Sequence, residues 1–399
     1  MPDLNRRAFL ASAAAAPLAA NSAADPRYQI GAYYFPDYHL DPRNEKAHGK
    51  GWTEWELVRA AQPRFPGHRQ PKRPLWGYED EADPHVMAKK IDAAADHALT
   101  HWIFDWYHYN DGPFLNRCLD EGFLKAANNS RLKFALMWAN HDWLDIQPAK
   151  RSSPPQLQYS GAVTPAAFDR ISDLVVERYF QHPAHWRIEN KPYFSIYETF
   201  RFVEAMGGAE PARDALRRFR QKTRAAGFDG LHLNAVAWGV KILPGEKALE
   251  NPKQMLKYLG FDSVTSYVWI HHTPLKEFPE TAYRGVAADA IRYWNGADGE
   301  FGLPYHPNVT MGWDSSPRTC ATDRFDPVGY PFMATLGGNT PAAFRDALSS
   351  AKAFLDARRG QPKILTINAW NEWTEGSYLE PDTEHGLGYL EAIRSVFAG

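Results

Sequence analysis

Eight short apolar runs alternate along this chain with patterns of helical length. The runs cover residues 28–35, 100–107, 132–139, 192–197, 231–238, 261–268, 308–313 and 363–370. Most are nearly continuous apolar stretches, which is the pattern of parallel strands buried on both faces. Eight uninterrupted strand–helix repeats predict a closed (β/α)8 barrel of the α/β class, a TIM barrel. An open, doubly wound sheet is the alternative, but no glycine-rich phosphate loop follows the first run.

Helix start signals lie between the runs. Asp83-Pro84, Thr164-Pro165 and Thr340-Pro341 each place a capping side chain before a proline at the first helical position. The predicted helices cover residues 86–99, 114–127, 168–180, 213–226, 254–259, 281–294, 344–355 and 387–397. Because barrels of this kind often exceed 250 residues as one unit, residues 25–399 are predicted to form a single domain.

Three predicted connections are much longer than a barrel requires, at residues 36–83, 140–164 and 270–280. Loops of this size in a compact domain are usually functional. In a (β/α)8 barrel the loops that follow the strands surround the active site at the C-terminal face. We therefore expect long βα loops to form the walls of a cleft over that face.

The first 24 residues have the composition of a targeting segment. Arg6 and Arg7 precede an alanine-rich stretch, and Ser22-Ala23-Ala24 is a plausible cleavage site. This layout predicts a twin-arginine-type signal peptide and a periplasmic or secreted protein; a disordered alanine-rich tail is the alternative. No later run reaches the roughly 18 apolar residues that a membrane span needs, so the mature chain is expected to have none.

Charge and cysteine content exclude several classes of partner. Lys+Arg total 45 against 47 for Asp+Glu, and the one concentrated basic run, residues 68–73, is short. A nucleic-acid surface needs many more cations on one face. Cys118 and Cys320 have no CxxC or histidine-rich context, so no structural metal is predicted; they form one disulfide or remain two thiols. No cofactor is expected, and nothing indicates an oligomeric state.

The strongest local motif is Asn371-Glu372-Trp373-Thr374-Glu375-Gly376, at the end of the eighth run. In a continuing strand Glu372 and Glu375 would face opposite sides, so the chain must turn after Glu372, and Gly376 permits that turn. Two carboxyls in a water-poor pocket drive their pKa values apart, which leaves one as a base and one as an acid. Cleavage of a glycosidic bond uses that pair. A solvated acidic turn is the alternative.

The same motif resembles the catalytic motif of glycoside hydrolase family 99, the endo-α-mannosidases and endo-α-mannanases. The wider chain resembles the WbsX-like proteins of bacterial polysaccharide gene clusters. That likeness rests on Ala32-Tyr33-Tyr34-Phe35-Pro36, Gly51-Trp52-Thr53-Glu54-Trp55, Trp138-Ala139-Asn140, Gly312-Trp313-Asp314 and residues 367–381.

The resemblance implies a role for each glutamate of the motif. Glu375 would be the acid/base, and Glu372 would be the base that deprotonates the 2-hydroxyl of the sugar, which then attacks the anomeric carbon. Thr374 stands where the enzymatically defined family has histidine. This departure bears on mannose specificity more than on the class of reaction.

Further candidates lie at the predicted strand ends and in the first long loop. Carboxylates and amides there could bond vicinal hydroxyls, and aromatic faces suit sugar rings; a carboxylate such as Asp105 could instead satisfy backbone amides. His108, His141 and Asp142 lack the fixed spacing of a metal site. The candidate substrate-binding residues are Tyr34, Asp37, His39, Trp52, Glu54, Asp105, Trp106, Tyr107, Asn140, His141, Asp142, Glu198, Trp238, Trp313, Asp314, Asn371 and Trp373.

These patterns together predict a retaining glycoside hydrolase, endo-acting on an α-linked oligo- or polysaccharide of mannan-like or bacterial type. A rival mechanism pairs Glu198 with Glu372 across the barrel and makes one of them the nucleophile. Two other functions remain open: a glycosyltransferase of polysaccharide biosynthesis, and a barrel that binds carbohydrate without catalysis.

Overall fold

The computed structural model of the protein describes residues 24–239 and 241–399. The predicted signal peptide lies outside these residues except for Ala24, which pairs with Ala398. Within the described ranges, no helix has both the length and the apolar character that crossing a membrane requires.

Eight parallel strands form a closed barrel, as the alternating pattern predicts. The seventh strand, β7, consists of two segments on either side of Pro307; the first pairs with β6 and the second with β8. Because β8 also pairs with β1, the sheet closes on itself. The strands are β1 Tyr28–Tyr34, β2 His101–Tyr109, β3 Lys133–Trp138, β4 Lys191–Ile196, β5 His232–Val236, β6 Ser263–Thr265, β7 Tyr305–His306 with Asn308–Thr310, and β8 Lys363–Asn368.

The helices pack around the barrel, and three of them begin where the capping signals predict. The side chains of Asp83, Thr164 and Thr340 each accept a hydrogen bond from a backbone N–H of the first turn. The helices are α1 Pro42–His48, α2 Trp55–Ala60, α3 Pro84–Ala95, α4 Pro165–Leu174, α5 Thr199–Ala205, α6 Ala209–Ala225, α7 Pro252–Leu259, α8 Tyr283–Phe301, α9 Pro341–Ala357 and α10 Gly388–Phe397.

One predicted helix, over residues 114–127, is wrong. The chain after β2 turns back instead, so that Gly112–Phe114 pairs antiparallel with the end of β2. Leu115 has a φ of 57°, which no α-helix contains, and its N–H donates to Asp41 at 3.2 Å. The apolar residues that suggested a helix form a π-helical turn, Cys118–Phe123. The thiols of Cys118 and Cys320 are both free.

Candidate active site

A tight turn at the end of β8 brings the two glutamates of the motif to one wall. Asn371–Glu372 pairs antiparallel with Ser377–Tyr378, and a 3-10 turn covers Trp373–Glu375. Gly376 has a φ of 62°, and a Cβ there would lie 2.6 Å from the Cβ of Asp314. The position therefore requires glycine for both conformation and space. The predicted turn after Glu372 is confirmed.

A buried network supports this turn from below. The carboxamide of Asn371 accepts from the N–H of Phe35 at 2.8 Å and donates to its carbonyl at 2.6 Å, which joins the ends of β8 and β1. Trp373 stacks on Tyr378 with ring centroids 3.7 Å apart, and its indole N–H donates to Glu380 at 2.7 Å. Asn371 and Trp373 thus hold the turn in place and do not line the cavity above it.

An ion cluster continues this support. The Nζ of Lys90 lies 2.8 Å from Glu81 and 2.6 Å from Glu380, and all three side chains are buried. Burial opposes a charge on Lys90, but its contacts with Glu380 and Glu81 outweigh that effect and raise its pKa. Glu81 in turn accepts from Asn371 at 2.8 Å. The motif is therefore anchored to α3 through charge as well as through packing.

Arg318 is the centre of the site. It lies on the loop after β7, and its guanidinium donates to Glu54 from Nε at 2.8 Å and to Glu375 from Nη1 at 2.6 Å. Its Nη2 lies 3.4 Å from Glu372. The hydroxyl of Tyr330, on the same loop, donates to Glu375 at 2.7 Å. One cation therefore contacts three buried carboxyl groups.

The side chain of Glu54 reaches this centre from the first long loop. Besides the contact with Arg318, it accepts a hydrogen bond from the hydroxyl of Thr374. It also lies beside Asp37, and burial together with the charge of Glu54 raises the pKa of Asp37 well above its ordinary value. Thr374, which precedes Glu375 in the motif, is thus tied to the first loop through Glu54.

The hydroxyl group of a tyrosine bridges two carboxyl groups of the site. The hydroxyl of Tyr267 is 2.8 Å from Asp105 and 3.0 Å from Glu372. A phenol carries one proton, so it donates to only one of these carboxyls at a time. Burial raises the pKa of Asp105 and of Glu372 well above their ordinary values. Burial also raises the pKa of Glu375, and the charge of Arg318 opposes that rise.

A cavity of about 730 Å³, which is open to solvent, lies at the C-terminal face of the barrel, and its lining includes Asp105, Tyr267, Arg318, Tyr330, Glu372 and Glu375. Its walls come mainly from the loops after β3, β5, β6, β7 and β8. The first long loop, residues 36–83, contributes no residue to this lining, whereas Phe35, directly after β1, belongs to it. The sequence-predicted residues that the structure brings together here are Asp105, Tyr107, His141, Asp142, Trp313, Glu372 and Glu375.

Asp142 and His141 lie at the β3 side of the cavity. Asp142 accepts from the N–H of Gly161 at 2.9 Å and from Arg201 at 3.0 Å. Burial lowers the pKa of His141 to about 4, and burial lowers that of His271, which also lines the cavity, to about 3. Both imidazoles are therefore neutral at pH 7. Among the described lining residues, Arg318 is the one that carries positive charge at that pH.

Other predicted residues at strand ends lie outside this lining. The carboxamide of Asn140 donates to the carbonyl of Glu198 at 3.0 Å and accepts from its backbone N–H at 2.8 Å. The Glu198 carboxylate accepts from Arg201 at 2.9 Å and does not line the cavity. Asp314 turns toward a neighbouring cavity, where it accepts from Gln70 at 2.6 Å. The pairing of Glu198 with Glu372 that the rival mechanism requires is not formed.

The remaining candidate residues pack or form hydrogen bonds within the protein and do not line the cavity. Burial lowers the pKa of His39 to about 3, and Asp37 accepts from Asn44 at 2.5 Å. The aromatic candidates outside the lining pack on their neighbours: Tyr34 on Trp102 and Phe104, Trp52 on His48, Trp106 on Tyr179, and Trp238 on Tyr197.

Sequence reasoning missed Tyr267, Arg318 and Tyr330, which donate to the site carboxyls. Tyr267 lies near the end of the sixth apolar run and two residues past the end of β6, so it fits the rule of polar groups at strand ends. Arg318 and Tyr330 belong to the chain between β7 and α9, residues 311–340, and a connection of this length indicates a functional loop.

Comparison with known proteins agrees with this architecture. The family described as Glycosyltransferase WbsX matches residues 30–393. The protein WxcX of Xanthomonas campestris pv. campestris, described as uncharacterized, is 27% identical over 378 residues, which are 92% of this chain and 49% of WxcX. The chain thus spans about half the length of the curated relatives it matches.

Two solved structures share the fold. The GH99 endo-α-mannosidase of Bacteroides thetaiotaomicron superposes with a TM-score of 0.58 at 14% identity, covering 92% of this chain and 95% of that one. A structure described as a glycoside hydrolase-like protein gives a TM-score of 0.58 at 16% identity, covering 93% and 94%. At these identities the likeness concerns the barrel and its connections.

Proposed function

We propose that this chain, which belongs to the WbsX family, is a retaining glycoside hydrolase that cleaves α-linked oligo- or polysaccharide, with an endo mode of attack. The observation that carries the proposal is the placement of Glu372 and Glu375 on one turn, against one guanidinium, at the C-terminal face of a barrel. Acetal cleavage needs a proton donor and a proton acceptor that are held close together in a pocket.

Glu375 is proposed to be the acid/base. Arg318 and Tyr330 both donate to its Oε1, which leaves Oε2 to carry the proton toward the leaving oxygen. Glu372 is proposed to remove the proton of the sugar 2-hydroxyl, so that this oxygen attacks the anomeric carbon and forms a 1,2-anhydro intermediate. Water then opens the intermediate at the anomeric carbon: Glu375 accepts the proton of the water, and Glu372 returns its proton to O2. Two inversions leave the configuration retained. The position of both glutamates on one wall supports attack by the sugar rather than by a carboxylate opposite.

The reverse assignment is a second candidate, because Arg318 lies closer to Glu375 than to Glu372. In the ligand-free cavity this contact favours an ionised Glu375 and a protonated Glu372. Replacing each glutamate by glutamine distinguishes the two assignments. Whichever residue is the acid, its glutamine variant should recover activity on substrates with acidic leaving groups, since these need no proton.

The test measures release of reducing ends from α-mannans and bacterial exopolysaccharides. Glu375→Gln and Glu372→Gln should each lower turnover by about 10²–10⁴-fold, whereas Glu391→Gln, an exposed change on α10, should leave it unchanged. Full activity in both site variants would rule out the proposal. For the attacking group, a 2-fluoro substrate should be inert; a covalent adduct on Asp105 or Glu372 in the intact mass would exclude the 2-hydroxyl route.

Charge argues against nucleotide-sugar transfer, the function that the name of the family suggests. A diphosphate donor carries two negative charges, and Arg318, the cation among the described lining residues, already contacts Glu54, Glu372 and Glu375. A diphosphate buried in this cavity would therefore lack a cation of its own to compensate its charge. Transfer of label from nucleotide sugars to an acceptor glycan, with no release of reducing ends, would favour the transferase.

A further inference from the structure

The cavity has a second wall that the proposed chemistry does not use. Whereas Glu372 and Glu375 form a polar wall, this second wall is made of aliphatic side chains from two loops. They are Leu144 and Ile146 after β3, and Ile242 and Leu243 after β5. Ile146 is almost fully buried, whereas the other three are partly exposed. We call these four residues the aliphatic wall.

Both loops of the aliphatic wall are held by hydrogen bonds. The N–H groups of Ile242 and Leu243 donate to one oxygen of Glu246, at 2.7 and 3.0 Å. The other oxygen of Glu246 accepts from the Tyr197 hydroxyl at 3.1 Å. On the other loop, Trp143–Leu144 pairs antiparallel with Leu157–Tyr159. Hydrogen bonds therefore hold both loops, and the buried carboxyl group of Glu246 fixes the turn that carries Ile242 and Leu243.

An aliphatic wall is a poor surface for an unmodified sugar. The hydroxyls of a hexose that face it lose water without gaining a partner, at a cost of about 1–3 kcal/mol for each buried group. A methyl group in the same place gains about 0.8 kcal/mol. Flat aromatic rings suit the face of a sugar ring, whereas branched aliphatic side chains surround a small projecting group.

We propose that the aliphatic wall binds a methyl group that projects from the substrate sugar beside Glu372 and Glu375. Two sources have this chemistry: C6 of a 6-deoxyhexose and the methyl of an acetyl substituent. This inference rests on the proposed glycosidase function for its substrate class, and it narrows that class to deoxygenated or acetylated glycans.

Calorimetric binding of matched methyl glycosides tests the inference without requiring turnover. The pairs are methyl α-L-rhamnoside with methyl α-L-mannoside, methyl α-D-rhamnoside with methyl α-D-mannoside, and methyl 6-O-acetyl-α-D-mannoside with methyl α-D-mannoside. Each sugar keeps the free 2-hydroxyl, trans to the α-linkage, that the proposed attack requires. The methyl-bearing partner of at least one pair should bind about 10-fold tighter, within the range for one apolar group against a hydroxyl. Preference confined to the first two pairs identifies a 6-deoxyhexose, and preference confined to the third identifies an acetyl group.

Substitutions test whether the aliphatic wall causes the preference for the methyl-bearing glycoside. Leu243→Asn should bring the affinity ratio close to one, Leu243→Met should retain it, and Leu75→Asn, at an exposed leucine outside the cavity, should not change it. Equal affinity within every pair, or no binding by any glycoside, overturns the inference, as does a ratio that Leu243→Asn leaves intact. A protein that keeps the ratio but releases no reducing ends would refute the proposed hydrolase and leave the methyl-binding wall standing.

Discussion

Replacing Arg318 by methionine should destabilise the protein more than any surface substitution does. Methionine retains much of the aliphatic volume but leaves Glu54, Glu372 and Glu375 without the cation that contacts them. Removing one partner of a buried ion pair costs about 3–5 kcal/mol, because the remaining charge stays desolvated. The contacts share one guanidinium, so their separate contributions do not add.

The expected shift in Tm follows from the size of the chain. An unfolding entropy of about 2.1 cal/mol/K per residue gives ~0.8 kcal/mol/K for 399 residues. A loss of about 4 kcal/mol then lowers Tm by about 5 °C at pH 7. Arg284→Met is the matched control, since Arg284 pairs with Asp346 at 2.9 Å on the exposed surface, where such a pair contributes about 0–1 kcal/mol.

The deficit of Arg318→Met should depend on pH in one direction. Loss of the cation raises the pKa of Glu375 in the folded state further above its ordinary value of 4.5. A carboxyl whose folded pKa is raised binds more protons in the folded state, so stability falls as pH rises above the unfolded pKa. The difference in Tm between variant and wild type should therefore shrink from pH 8 toward pH 5.

Thermal unfolding of both variants and the wild-type protein at pH 5, 6, 7 and 8 measures this dependence. Wild-type stability in Arg318→Met at pH 7 would contradict the assigned role of the cation. A deficit of the same size at every pH would indicate lost packing rather than uncompensated carboxylates.

Three further changes have defined outcomes. Gly376→Ala should lower the free energy of unfolding by about 1–3 kcal/mol, because it combines a left-handed backbone with a contact on Asp314; unchanged urea unfolding would contradict this. Lys90→Met should cost about 3–5 kcal/mol by the same measurement, since two carboxyls stay buried without their cation. Changing Arg6 and Arg7 together to Lys should retain the precursor in the cytoplasm, as shown by fractionation, whereas normal export would mean that the N-terminus is not read as a twin-arginine signal.

Local patterns explain why most of the fold could be predicted. Each strand of a barrel is buried on both faces, so its apolar run is visible without knowledge of its neighbours. A cap such as Thr340 before Pro341 depends only on its own helix. The turn at Glu372 could be inferred in the same way, because period-two geometry and Gly376 are both local features. The helix predicted over residues 114–127 fails because Leu115 is held by Asp41, which is 74 positions away.

The charge arrangement of the site could not be predicted, because its partners are distant in sequence. Glu54 and Arg318 are 264 positions apart, and Tyr267 and Asp105 are 162 apart. Composition shows that acidic and basic residues nearly balance over the chain, but it does not show that the cavity has one cation for several acids. Only the closed barrel, which brings the ends of β2, β6 and β8 to one face, creates that imbalance.

The excess of acidic over basic groups in the described lining favours the proposed reaction. Positive charge develops at the anomeric carbon in the transition state, and the lining provides Asp105, Glu372 and Glu375 around it with one guanidinium. Carboxyl groups that are fixed in place by Tyr267, Tyr330 and Arg318 need little reorganisation when that charge appears. A positive charge that forms beside a desolvated carboxyl stabilises its ionised form, whereas an anionic ligand disfavours that form further. The cavity therefore favours a neutral glycan and a cationic transition state over an anionic donor.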